Sequence, residues 1–172
     1  MKKLTIALMM FMFIVGIAAG FLLHLTSIDT ADEQVDQIAD QSYALSLPEQ
    51  ESVEALSEQD IVRSYQSSYS SLVSDAGQRI QSLASEAQQE YVTKMNNQED
   101  VSYSYFFSKY SSAANRLEKT TDEAFAVIHD QMSQQLESSG YPSHAAEELK
   151  KDYEQTKKQW RSTWLDEVQA AF

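Results

Sequence analysis

The 172-residue chain carries 13 Lys plus Arg against 26 Asp plus Glu, a formal charge of −13, and contains no cysteine. Lys2 and Lys3 precede an apolar N-terminal segment, so the remaining part, about 145 residues with room for one domain and a modest core, holds all 26 acids and a formal charge of −15. That surplus disfavours nucleic acid and anionic headgroups as partners, and the missing thiols exclude disulfides, thiolate metal sites, thiol nucleophiles and a lipid-modified Cys.

Leu4 to Leu25 is a run of 22 residues without a charge, with Thr5 and His24 as its polar members. As a helix it would measure about 33 Å, enough for a hydrocarbon core of about 30 Å. Lys2 and Lys3 before it and Asp29, Asp32 and Glu33 after it orient the N-terminus to the cytoplasm and the remainder outside. Residues 1–27 therefore read as a membrane anchor that meets the lipid bilayer through residues 4–25. Ala18-Ala19-Gly20 also offers a signal-peptidase pattern, and cleavage there would release a secreted protein beginning at Phe21. Gly16 and Gly20 form a GxxxG pair that can pack two membrane helices, which adds weak homo-oligomerisation to the expectations.

From Ile28 to Leu56 the chain reads as an acidic stalk or linker that can supply short helical turns docked on the domain. Ala31, Val35, Ile38, Ser42 and Leu45 keep a helical spacing, so the membrane helix is expected to run on for several turns before Pro48 interrupts it. The folded domain is expected over 57–172. Ser57 with Asp60 resembles an acidic capping box, and Ile61, Tyr65, Tyr69, Leu72, Ala76, Ile80, Leu83, Ala87 and Tyr91 form one stripe on a helix of about 58–95. After the polar loop Asn96 to Asp100, a second stripe runs through Tyr103, Phe106, Tyr110, Ala114, Leu117, Thr121, Phe125, Ile128, Met132 and Leu136. It predicts a helix of about 101–139, stopped by Gly140 and Pro142. The opening Val101 to Phe107 also alternates with a period of two, so a short strand competes there. Ser143 caps a third helix, 144–171, with Ala146, Leu149, Tyr153, Trp160, Trp164 and Val168 on one face. The fold expected is all-α: a transmembrane helix followed by an extracytoplasmic antiparallel bundle of three long helices.

Four Gly and two Pro leave the exported part without the glycines of a nucleophile elbow, a P-loop or a dinucleotide fingerprint. HExxH and Glu-x-x-His are absent too, so no enzyme, cofactor or metal is expected. His144 with Glu147 and Glu148 has the spacing to meet one cation, but a zinc site needs three or four ligands, and an exposed first helical turn explains these residues as well.

The densest unusual feature is aromatic. Tyr103, Tyr105, Phe106, Phe107 and Tyr110 lie close together, and Trp160 and Trp164 are one turn apart. On a helix all of the first group except Tyr105 can enter a core, and an antiparallel bundle would bring Trp160 and Trp164 near them as one aromatic layer. The functional alternative is an exposed aromatic groove for a peptide, a glycan or a partner helix. The leading expectation is a single-pass, membrane-anchored module that assembles or regulates an envelope complex through a protein partner. The alternatives are an extracytoplasmic sensor of a small molecule or cation acting through a membrane partner, and a cleaved, secreted helical protein.

Overall fold

The computed structural model describes residues 30–48 and 56–171. The expected anchor, with Gly16 and Gly20, lies outside them, and among the described residues no helix is long and apolar enough to cross a membrane. The fold is an all-α helical bundle of α1 (Glu33–Asp40), α2 (Glu58–Asn96), α3 (Tyr103–Ser138) and α4 (His144–Ala171).

The three long helices follow the predicted stripes, because each stripe presents a continuous apolar edge that only a neighbouring helix can cover. Helix α2 opens at Ser57, whose hydroxyl oxygen accepts from the Asp60 amide and whose O–H donates to the Asp60 carboxylate. It runs antiparallel to α3: Tyr65 near its start bonds Gln135, whereas Glu90 near its end bonds Tyr110. Helix α4 returns parallel to α2, with Tyr69 bonded to Thr156 and the Trp160 indole nitrogen beside Gly77. Residues 101–107 hold no strand; α3 begins at Tyr103 with Ser102 as its cap and continues unbroken past Thr120 and Thr121. Both threonine hydroxyls donate back to carbonyls one turn earlier, at Arg116 and Leu117, so neither diverts the helix.

The stalk supplies a short docked helix, but not as a continuation of a helix from before it. No helix runs through residues 30–32; Asp32 is extended and its carboxylate caps the Gln34 and Val35 amides, so α1 starts at Glu33. An acid at an N-cap satisfies two orphan amides and sets a helix start there, which separates α1 from anything preceding it. Helix α1 ends at Asp40, and residues 41–48 continue as a strap without regular secondary structure. Together they lie along α2 and α3, antiparallel to α2: Gln34 bonds Glu86, and further on Ser46 accepts from Ser68. Val35 and Ala39 are buried with Leu83, Tyr110, Ala113 and Leu117. Tyr43, Leu45 and Leu47 pack on the second core cluster, where Ile61, Tyr65, Leu72, Phe125, Ile128, Met132, Leu136, Leu149 and Tyr153 meet. Helix α1 thus covers the α2–α3 seam at one end of the bundle, and α4 covers its other half.

Both connecting turns follow one plan. After α2, Gln98 donates to the Met95 carbonyl and Glu99 to that of Lys94; after α3, Gly140 donates to Glu137 and Tyr141 to Leu136. This is the Schellman arrangement, which needs a left-handed residue at its corner. Gly140 has φ of 80° and Gln98 has φ of 58°. Only glycine takes this conformation without a steric penalty of about 1 kcal/mol. Gln98→Gly is therefore expected to stabilise the fold by up to about 1 kcal/mol and Gly140→Ala to destabilise it by about as much. Urea unfolding midpoints moving in opposite directions would bear this out, and equal midpoints for all three proteins would contradict it.

Candidate functional site

The most unusual chemistry lies where α1 meets α2 and α3. Lys109, on α3, leaves only 4% of its surface to solvent. Its ammonium donates to Asp32 Oδ2 and Glu90 Oε2, each at 2.7 Å, and to the Tyr105 hydroxyl at 3.2 Å. The Tyr110 hydroxyl donates to the same Glu90 oxygen at 2.9 Å. One cation thus joins the cap of α1, the last third of α2 and the start of α3. Burial by itself would lower the Lys109 pKa, but the bonds from Asp32 and Glu90 outweigh it and hold the group above its ordinary value. Lys109 draws the Asp32 carboxyl below the usual range. Glu90 is pushed up by burial and drawn down further by Lys109 and the two tyrosine hydroxyls, so its net shift is also downward. Burial and the Glu90 charge push the Tyr110 hydroxyl upward.

Two further cations secure the same segment. The Arg79 guanidinium donates to Asp75 through two bonds of 3.1 Å, reaches the Gln41 and Ser42 carbonyls of the strap, and stacks on the Tyr43 ring at 4.0 Å. The Tyr43 hydroxyl shares a 2.6 Å hydrogen bond with Thr121. Arg116 binds Asp36 and Asp40 from the flank. On the other side of α3, Asp122 accepts from Tyr153 at 2.5 Å and from Lys157 at 2.9 Å, while Glu118 accepts from Arg161 at 2.7 Å. Burial, then the Asp122 charge, push the Tyr153 hydroxyl upward.

The aromatic residues divide between two places. Phe106 stacks on Tyr110 at 6.0 Å and meets Tyr91 and Tyr105 edge-on. Tyr110 is buried, and Tyr105, Phe106 and Phe107 are half-buried. Tyr105 does not point well away from the group as its helical angle suggested; its ring lies against Phe106, near the Lys94 and Lys109 ammonium groups. The side chains of Tyr103 and Trp164 lie outside the described residues. Trp160 joins the other cluster, with Tyr69, Phe125 and Tyr153, where Phe125 stacks on Tyr153 at 4.0 Å. Trp160 therefore lies apart from Tyr110, which packs with Val35 and Ala39 of α1.

The histidine cluster also separates. His144 pairs with Glu148 at 3.3 Å, whereas Glu147 faces His129, 3.8 Å from its Nε2. Among the described residues no group of three or more acidic or imidazole side chains is placed to hold a metal ion. Along the exposed face of α2 run two open grooves, one lined by Val62, Arg63, Gln66, Ala145 and Glu148 and the other by Ser67, Ser71, Ser74 and Gln78. Helix α2 thus presents an exposed, largely polar face, and the Lys109 centre ties three elements together. Comparison with protein-family models, curated proteins and solved structures finds no match for this chain.

Lys109→Met is expected to cost about 2–3 kcal/mol, short of the about 3–5 kcal/mol of a fully enclosed pair, because Asp32 and Glu90 keep some contact with water. The lowered carboxylates contribute stability above about pH 5 that fades as pH falls through about 4, while the raised Lys109 loses its contribution only above about pH 10. The unfolding temperature should therefore drop more between about pH 6 and about pH 3 in the natural protein than in Lys109→Met. Equal drops would mean that Lys109 does not tune these acids.

Proposed function

We propose that this chain is a membrane-anchored, extracytoplasmic helical interaction module that helps to assemble or regulate an envelope protein complex. The supporting observation is the tie at Asp32. Seven Cα steps separate Leu25, the end of the uncharged run, from Asp32, a reach of at most about 25 Å. Because Asp32 is bound to the buried Lys109, an anchored run would hold the whole bundle near the bilayer with a restricted orientation. A domain on a long flexible stalk would sample many orientations instead. Restricted presentation suits a surface that must meet a partner in the same membrane, since confinement raises its effective concentration there. The exposed polar face of α2, with Gln59, Arg63, Gln66, Ser67, Ser70 and Ser74, is available for that contact.

The test is fractionation of cells producing the full chain. An intact product that resists alkaline extraction from membranes and is cut by protease added from outside supports the reading. Photo-crosslinkers placed along the exposed face of α2 should then capture a discrete membrane protein. A soluble product beginning at Phe21 would replace this reading with a secreted helical protein. Crosslinking that repeatedly gives no adduct above background would remove the interaction role.

A further inference from the structure

Among the described residues, the bundle end where α2 passes into α3 carries an exposed apolar tip. Val92 and Met95 are 47% and 54% exposed, on adjacent turns of α2. Tyr105, half-buried on the first turn of α3, has its ring near Lys94 of the same stretch of α2. From this tip, together with the route of the chain, we infer that Val92 and Met95 rest in the interface of the bilayer, as the contact surface of the anchored bundle. The inference builds on the proposed anchor and goes beyond it by naming the face turned to lipid.

Direction comes from α1. From Asp32 beside Lys109 and Glu90, α1 descends to Asp40 beside Arg116, away from the tip. The start of α1 therefore lies toward the tip end of the bundle. Lys109 lies six residues into α3, so the tip stands about 9 Å beyond it. An anchored run ends within about 25 Å of Asp32, so the tip end is the end of the bundle that such a run holds nearest the bilayer.

The chemistry selects the kind of lipid surface. Exposed aliphatic side chains with tyrosine beside them suit the interfacial zone, where an apolar body and a polar tip are accommodated together. Glu99 and Asp100 sit in the same loop, and Lys94 is already paired with Glu99. The local charge is acidic and opposes anionic headgroups, so the occupant is a zwitterionic surface. Two side chains make a weak contact, but tethering raises the effective concentration enough for a weak contact to be populated.

The absence of cysteine permits single-site labelling of the full chain in phosphatidylcholine vesicles. An environment-sensitive fluorophore is placed at Thr93→Cys near the tip or at Glu137→Cys at the far end, both exposed positions. Lipids spin-labelled at the interface should quench the probe at 93 several-fold more than the probe at 137. Adding Val92→Ser and Met95→Ser should remove most of the quenching at 93. Equal quenching at both sites in chain that still floats with the vesicles would overturn the tip contact and leave the anchor standing. Quenching at 93 that survives the serine substitutions would overturn the role of these two side chains. Chain that does not float at all would overturn both readings.

Discussion

The arrangement of the bundle depends on one buried cation. Lys109 brings an acid from the start of α1 and an acid from α2 to the same ammonium group, and this fixes the register of three elements at once. In so acidic a domain, surfaces that approach one another repel unless a cation stands between them. The placement of several basic residues follows that rule. Lys109, Arg79, Arg116, Lys157 and Arg161 each reach from one element to another. The exposed bridges contribute little singly. Lys109 differs because withdrawing it would leave acids facing each other in a partly dry site.

Polar groups divide the interior into two apolar regions. Near α4, Tyr69, Phe125 and Tyr153 pack with Ile128 and Met132, and Tyr153 sends its hydroxyl outward to Asp122. Near α1, the Tyr110 ring lies beside Leu83 and Leu117 and its hydroxyl completes the Lys109 centre. In both places a tyrosine supplies apolar area at one end and a hydrogen bond at the other. Tyr43, which packs against both regions, joins them through the strap.

Much of this was legible in the residues, and what was not has physical causes. The long helices were readable because Ile61 to Leu83 and Phe106 to Leu136 repeat their apolar residues at helical steps over many turns, a signal no single substitution can imitate. Ser57 and Gly140 were readable because capping and left-handed turns demand specific side chains. Helix α1 was legible only as spacing, since a segment of eight residues that buries just Val35 and Ala39 carries too little pattern to locate its start. The decisive residue there was Asp32, which reads as one more acid in an acidic stretch. Lys109 and Arg79 were missed because long cationic side chains on helices ordinarily reach water. A signal did exist: Lys109 follows Phe106 by three and precedes Ala113 by four, and Arg79 stands likewise between Ala76 and Leu83, so each occupies a stripe position. The aromatic grouping was visible too, but its division between two regions depends on α1 filling the space that α4 was expected to fill.

The antiparallel course of α1 and the strap along α2 bears on mechanical load. A pull on the chain ahead of Asp32, directed past the tip, runs along the length of this segment. The Asp32, Asp36, Gln41 and Ser46 attachments would then be strained together in shear instead of being peeled off one after another. Force entering there is shared among a buried ammonium, two guanidinium groups and a serine hydroxyl. The segment therefore resists being drawn out lengthwise far better than being lifted sideways.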